Sequence, residues 1–161
     1  MNDDRRMKAV ILAGGRGTRL SEETQMRPKP MLKIGEKPAL WHIMKIFSHY
    51  NINEFIICCG YKHEIIKEYF ENISEKWSVE VVDTGLDTMT GGRVKRIEKY
   101  LNNEKFFLLY GDDLKPVNIT ELLDFHIKNK KLVTVTAAQP PGRFGILKLE
   151  EHNVVEMREK P

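Results

Sequence analysis

The chain has 161 residues, of which 41% are hydrophobic and 30% charged, a composition typical of globular proteins. Lysines and arginines outnumber aspartates and glutamates by only 26 to 23, an excess too small to indicate nucleic acid as a partner. No apolar run approaches the roughly 18 residues of a membrane span, so the composition excludes membrane-spanning, disulfide-rich secreted and collagen-like classes.

In chain order, short apolar runs alternate with stretches of helical period. The pattern predicts a strand over Lys8–Ala13, a helix over Pro38–Tyr50, a strand over Glu54–Cys59, a helix over His63–Phe70, a strand over Val79–Val82, a helix over Arg93–Leu101, a strand over Phe106–Tyr110, a helix over Asn118–Asn129, and strands over Leu132–Ala138, Phe144–Leu149 and Val154–Met157. Asn118 and Glu121 have the spacing of a capping box. Strands that alternate with helices predict a layered α/β fold with a mostly parallel sheet. Such sheets bind ligands where their strands end, so we expect the functional residues in the loops that follow strands.

The two cysteines of the chain, Cys58 and Cys59, are adjacent and lie in an apolar run. Adjacent cysteines rarely pair with each other, and this spacing does not suit a metal site. We therefore expect reduced, buried thiols and a cytoplasmic protein. The charged stretch Met1–Arg6 is not followed by the apolar segment of a signal peptide, so we expect a short leader there.

The loop Gly14–Leu20 holds three glycines and two arginines directly after a buried strand. Glycines let backbone N–H groups approach a phosphate, and arginines add charge with bidentate geometry. A tight turn with solvated arginines is equally compatible with this loop. Two standard motifs fail here: Leu20 stands where a dinucleotide fingerprint needs its third glycine, and the chain has no Gly-Lys-Ser/Thr.

Lys29 lies between two prolines, Pro28 and Pro30, which restrict the backbone on both sides of it. A lysine held this stiffly could be directed at a phosphate. Taken alone, such a residue is more often a surface lysine in an extended segment.

Taken together, several spaced motifs resemble the signature of the sugar nucleotidyltransferases. The motifs are Leu12-Ala13-Gly14-Gly15-x-Gly17-Thr18-Arg19-Leu20, Lys29-Pro30-Met31 and Lys37-Pro38. Enzymes of this family join a nucleoside triphosphate to a sugar 1-phosphate and release pyrophosphate. Further segments resemble the glucose-1-phosphate cytidylyltransferases, among them Leu40–Lys45, Phe55–Lys62, Asp83–Gly85, Met89–Arg93 and Pro140–Gly145. The resemblance implies a Rossmann-like, three-layer nucleotide-binding domain with a mostly parallel mixed sheet, of the nucleotide-diphospho-sugar transferase type.

The resemblance also implies roles for the matching residues. Lys29 would stabilise the transition state, Arg19 would clamp the reacting phosphates and pyrophosphate, and Asp112 would bind Mg²⁺. Without the family, Asp112 and Asp113 would be interpreted as a turn pair. The residues expected to bind the nucleotide are Leu12, Ala13, Gly14, Gly15, Arg16, Gly17, Thr18, Thr84, Gly85, Thr90, Gly91 and Gly92, and those expected to contact the acceptor are Gly145, Glu159 and Lys160.

The implied reaction condenses CTP with a phosphorylated small molecule, for which we expect glucose 1-phosphate, by direct displacement in the presence of Mg²⁺. Two alternatives stay open. The acceptor could be a non-sugar phosphate, such as phosphocholine or a phosphorylated amino acid amide, or the chain could be a CTP-binding module with little activity. An oxidoreductase is disfavoured by the failed dinucleotide fingerprint. We expect no nucleic acid or membrane partner, and a homo-oligomer stays open.

The resemblance runs from about Met7 to Pro161 and predicts a single nucleotidyltransferase domain over residues 1–161, with residues 1–6 as a leader. The C-terminal portion of the family, with a second metal-binding Asp, would be absent after residue 161. The stretch Glu71–Glu80 is also shorter than the corresponding region of the glucose-1-phosphate cytidylyltransferases.

Overall fold

A computed structural model describes residues 7–15, 26–137, 146–150 and 153–158. Its strands are β1 (Lys8–Ala13), β2 (Lys33–Ile34), β3 (Lys37–Pro38), β4 (Glu54–Cys59), β5 (Ser78–Asp83), β6 (Phe106–Tyr110), β7 (Ile146–Glu150) and β8 (Asn153–Arg158). Its α-helices are α1 (Ala39–His49), α2 (His63–Glu71), α3 (Thr90–Arg96) and α4 (Ile119–Asn129), and Lys29–Met31 and Glu98–Tyr100 form 3₁₀ turns. The chain divides into two compact units, Met1–Leu122 and Leu123–Pro161.

A four-stranded sheet forms the centre of the first unit, with the strand order β5-β4-β1-β6. All three strand pairs are parallel, and their registers place Ala13 beside Cys59 and Cys59 beside Asp83. The carboxyl ends of the four strands therefore meet at one edge of the sheet. This parallel arrangement confirms the predicted α/β architecture.

The two central strands are apolar along nearly their whole length, as expected for strands that helical layers cover on both faces of the sheet. On one face, Val10 and Ile56 pack in a cluster with Ile97, which follows α3. On the other face, Phe107 of β6 contacts Phe47 of α1, with ring centroids 5.5 Å apart. Phe106, the residue before Phe107, packs against the first cluster. The alternation along β6 thus places the two helical layers on opposite faces.

The second unit contains the end of α4 and a hairpin in which β7 and β8 pair antiparallel, with a register shift between Lys148 and Leu149. In the described part of the chain, no helix combines the length and the apolar character that crossing a membrane requires.

Three strands, β1, β4 and β6, have the predicted bounds, but two predictions are wrong. The third helix begins at Thr90 instead of Arg93, and its α-helical part ends at Arg96, before the 3₁₀ turn. Residues 132–137 form no strand, although Leu132, Val133 and Val135 give them a strand-like pattern. These three side chains are exposed, and a strand needs a neighbour for its backbone hydrogen bonds. Ala138, the last residue of that predicted strand, lies outside the described residues.

Candidate active site

Loops follow the carboxyl ends of the parallel strands, and backbone hydrogen bonds fix the starts of two of them. The Gly111 N–H donates to the Leu12 carbonyl over 2.9 Å, and the Thr84 N–H donates to the Cys59 carbonyl over the same distance. These bonds continue the sheet ladder one residue beyond its strands. They hold the first residues of the loops after β6 and β5 against β1 and β4, at the edge where ligands of parallel sheets bind.

Lys29 and Asp112 come together at this edge, although 83 positions separate them in the sequence. The ammonium group of Lys29 donates a hydrogen bond to the Oδ2 atom of Asp112 and forms an ion pair with it. The 3₁₀ turn that begins with Lys29 has Pro30 buried against Gly111, where an added Cβ would lie 3.0 Å from the Pro30 Cγ. The close approach of Pro30 to Gly111 places Lys29 beside Asp112.

The Lys29–Asp112 pair is accessible to a ligand, because 41% of the Lys29 side chain and 38% of the Asp112 side chain are exposed. A carboxylate is a hard oxygen ligand that suits Mg²⁺, which proteins often hold by one or two carboxylates together with substrate phosphates. The neighbouring Asp113 forms an ion pair with Lys115 over 2.8 Å. Within the described residues, no group of three His, Cys, Asp or Glu side chains could hold a metal by itself. Asp112 can supply one carboxylate ligand of this kind.

Arg93 lies beside Gly14 and is only 6% exposed. Its Nη1 atom donates to the Cys59 carbonyl over 2.8 Å and to the Thr84 hydroxyl over 2.7 Å. Its Nη2 atom donates to the carbonyls of Gly14 and Leu86, over 3.2 and 3.1 Å. One guanidinium group thus joins the ends of β1 and β4 to the loop that follows β5.

Two glycines at this edge of the sheet, Gly14 and Gly85, have distinct structural reasons to lack a side chain. An added Cβ at Gly14 would lie 2.0 Å from the Arg93 Nη1 atom, so any other residue at this position would force the guanidinium group to move. In the next loop, Gly85 has a φ of +86°, which glycine adopts without steric cost, and its N–H donates to the Asp83 carboxylate over 2.9 Å.

The predicted nucleotide-binding residues that the structure describes fall into two groups. Leu12 and Ala13 are buried in β1, and Gly14 and Gly15 follow them at the sheet edge. Thr84 is fully buried, and its hydroxyl donates to the Cys59 carbonyl over 2.6 Å while it accepts from Arg93. Gly85 forms the turn after β5, while Thr90, Gly91 and Gly92 are exposed in the first turn of α3.

Several predicted site residues cannot be placed, because they lie outside the described residues: Arg16, Gly17, Thr18, Arg19, Gly145, Glu159 and Lys160. Of the predicted cations and metal ligands, the structure brings together Lys29 and Asp112. The roles of all these residues stay predictions.

Sequence reasoning missed Arg93 and its neighbour Arg96. The Nη1 atom of Arg96 donates to the Thr84 carbonyl over 2.5 Å and to the Thr88 hydroxyl over 2.7 Å, so both arginines hold the loop after β5. A signal for Arg93 was present in the sequence. It lies four residues before Ile97 and eight before Leu101, which places a charged residue in line with the apolar face of the predicted helix.

The two cysteines are free and buried at the end of β4, as predicted. Burial raises the pKa of the Cys58 thiol to about 11, against a smaller lowering by the charge of Arg93. Burial also raises the pKa of Cys59, with smaller contributions from Cys58 and Asp83. Both thiols are therefore protonated near neutral pH and are poor nucleophiles.

Comparison with known protein families gives a match over nearly the whole chain. The profile of the family described as "Nucleotidyl transferase" covers residues 8–161. The chain belongs to this family. Among its curated members, the glucose-1-phosphate cytidylyltransferase of Salmonella typhi is 48% identical over 178 residues, which covers 96% of this chain and 69% of the relative. A probable glucose-1-phosphate cytidylyltransferase of Bacillus subtilis is 41% identical over 175 residues, with the same coverage.

Solved structures share the fold. HddC from Yersinia pseudotuberculosis, solved in complex with GMP-PN, superposes with a TM-score of 0.66 at 24% sequence identity, over 96% of this chain and 69% of that protein. The superposition confirms the predicted nucleotide-diphospho-sugar transferase type of fold.

The Salmonella relative carries residues that this chain lacks within the aligned region. The alignment spans 178 residues, whereas 96% of 161 residues is about 155. In this chain, residues 72–77 are the whole connection between α2 and β5. The shortened stretch at Glu71–Glu80 stays a prediction.

Proposed function

We propose that this protein is a cytidylyltransferase that condenses CTP with glucose 1-phosphate to give CDP-glucose and pyrophosphate. The observation that carries the proposal is the 48% identity, over 96% of the chain, to a glucose-1-phosphate cytidylyltransferase. The pairing of Lys29 with Asp112 at the carboxyl edge of the parallel sheet supports it, because this is where the chemistry needs a cation and a metal ligand.

In the proposed reaction, a phosphate oxygen of glucose 1-phosphate attacks the α-phosphorus of CTP, and the bond to pyrophosphate breaks. Both reactants are anionic, so the main tasks of the protein are to position them and to neutralise their charge. Lys29 stabilises the charge that develops on the α-phosphate, and Arg19 binds the reacting phosphates and pyrophosphate. The thiols near the site are buried and protonated, which supports direct displacement without a covalent intermediate on cysteine.

We propose that Asp112 is the protein ligand of the Mg²⁺ ion, as members of this family generally use a divalent metal. Mg²⁺ would supply neutralisation of phosphate charge. In the structure, the carboxylate of Asp112 is paired with the ammonium group of Lys29.

The remaining site assignments are proposed from the family motifs. The loop residues Leu12–Thr18, together with Thr84, Gly85 and Thr90–Gly92, bind the nucleotide, and Gly145, Glu159 and Lys160 contact the acceptor. We further propose that residues 1–161 act as a single nucleotidyltransferase domain and that the reaction takes place in the cytoplasm, which the free buried thiols support.

The test of this proposal is pyrophosphate release by the purified chain with Mg²⁺. Each of CTP, UTP, dTTP, ATP and GTP is combined with glucose 1-phosphate, phosphocholine and other phosphorylated acceptors. We expect release only with CTP and glucose 1-phosphate. Release with another acceptor would correct the substrate, and release with another nucleotide would overturn the cytidylyl assignment. Stabilisation of the fold by CTP without release would identify a nucleotide-binding module.

Replacement of Lys29 tests its assignment to the transition state. We expect Lys29→Ala to lower kcat by about 100-fold or more, the scale of losing one transition-state contact. The fold should persist, because a partly exposed ion pair contributes at most about 1 kcal/mol. Lys33→Ala, at an exposed lysine of β2, is the matched control and should retain wild-type turnover. Wild-type kcat in the Lys29 variant would remove Lys29 from the mechanism.

A further inference from the structure

A buried cation with only neutral hydrogen-bond acceptors is unusual, and Arg93 is one. Its four acceptors are three backbone carbonyls and one threonine hydroxyl. Among the residues that the structure describes, no carboxylate forms an ion pair with it. Burial of a charged group is costly unless it is well hydrogen-bonded, and here four acceptors from three separate segments of the chain compensate for that cost.

Three of the four acceptors of Arg93 belong to loops with different tasks in the proposed function, and the fourth, the Cys59 carbonyl, lies at the end of β4. Gly14 belongs to the glycine loop after β1, which is assigned to the phosphates of the nucleotide. Thr84 and Leu86 belong to the loop after β5, which is assigned to the base. Because the guanidinium group is planar and rigid, its two nitrogens fix the distance between these loops.

We infer that Arg93 is a positioning residue that couples the phosphate loop to the base loop and so sets how well the site distinguishes CTP from other nucleotides. The inference rests on the proposed function, since it takes its loop assignments from there. Lysine at this position would keep the charge but lose the fork, because an ammonium group is a single donor centre. A fixed distance between the loops is required if the base edge and the phosphates are to be bound at the same time.

The test compares Arg93→Lys and Arg93→Ala with wild type in the pyrophosphate assay. In Arg93→Lys, we expect the KM for CTP to rise about tenfold and the preference for CTP over UTP in kcat/KM to fall by a similar factor, the size of one lost polar contact. The KM for glucose 1-phosphate should stay within about twofold of the wild-type value, since the acceptor is bound elsewhere. Millimolar guanidinium ion should partly restore the CTP preference of Arg93→Ala.

The control is Lys95→Ala, which removes an exposed cation of the same helix that pairs with Glu98 over 2.5 Å. It should leave both KM values and the nucleotide preference unchanged. If Arg93 serves only for packing, Arg93→Lys will lower kcat and the melting temperature while KM and the nucleotide preference stay at wild-type values, and the inference is overturned. A selective rise in the KM for glucose 1-phosphate would overturn it as well.

The measurements on wild type distinguish a failure of this inference from a failure of the proposed function. If wild type releases no pyrophosphate with CTP, the proposed function fails and the nucleotide that binds most tightly is identified by calorimetry. Arg93→Lys is then compared with wild type for that nucleotide. Equal affinity and equal selectivity in the two proteins would overturn the role of Arg93, and so would an absence of nucleotide binding in wild type.

Discussion

Gly14 has two reasons to be glycine, one local and one that involves a residue far along the chain. A glycine in a phosphate loop gives the ligand access to the backbone. In this protein the space beside Gly14 is also filled by the guanidinium group of Arg93, 79 positions away in the sequence. The next residue, Gly15, has no such neighbour, since nothing lies within 4 Å of an added Cβ.

This difference predicts that alanine has unequal effects at the two positions. We expect Gly14→Ala to lower the free energy of unfolding by about 1–3 kcal/mol, because the added methyl group displaces a buried, hydrogen-bonded side chain. Gly15→Ala should change it by about 0.5 kcal/mol or less. Urea unfolding of both variants gives the comparison. Equal losses would show that the guanidinium group moves aside at little cost.

For individual residues, the sequence indicates which ones are candidates for function better than it predicts which side chains are in contact. The family motifs pointed to Lys29 and Asp112, but only the fold shows that their side chains meet, because the contact depends on how Pro30 packs against Gly111. Arg93 was not predicted, since a charged side chain next to glycines is by default placed in solvent. Its burial depends on carbonyls from three separate segments.

Among the elements, α4 begins where its sequence predicts because Asn118 caps it. The Asn118 Oδ1 atom accepts a hydrogen bond from the Glu121 N–H over 3.2 Å, and its amide donates to the Glu121 carboxylate over 2.8 Å. This variant of the capping box satisfies one of the backbone donors that the first turn leaves open.

Removal of the cap should therefore destabilise the protein. We expect Asn118→Ala to lower the free energy of unfolding by about 0.5–2 kcal/mol. Asn118→Asp should retain most of the stability, because an aspartate accepts the same bond and favours the helix N-terminus. Thr120→Ala, an exposed neighbour inside the helix, is the control. Thermal denaturation followed by circular dichroism measures all three, and a stable Asn118→Ala protein would contradict the role of the cap.

The residue composition of the strands and helices explains why some of them were predicted and others were not. β1, β4 and β6 are short apolar runs, and in an alternating α/β pattern such runs predict buried strands. The start of α3 was missed because Gly91 and Gly92 are poor helix formers, and the tertiary hydrogen bonds of Arg93 and Arg96 compensate for them. Residues 132–137 have strand-like residues but no strand partner in this structure, and pairing is a tertiary property.

Unfolding of the first unit means loss of its central sheet. The ionisation of the two thiols in β4 depends on whether this sheet is intact. Cys58 and Cys59 are fully buried in a strand that has neighbours on both sides. Such positions become accessible only when the core opens. Their protonation is therefore coupled to the stability of the unit as a whole.

This coupling predicts a loss of stability at alkaline pH with a definite sign. Burial raises the pKa of Cys58 from 9.0 to about 11 and also raises that of Cys59. The unfolded chain therefore loses protons from pH 9 upward while the folded chain keeps them, so the free energy of unfolding falls as pH rises from about 9 to 11, by at most about 1.4 kcal/mol per pH unit for each thiol. Urea unfolding at pH 8, 9 and 10 should show a steeper fall for wild type than for a Cys58→Ala, Cys59→Ala double variant, in which the lysines and tyrosines still titrate. Parallel curves would mean that the two thiols already reach solvent in the folded protein.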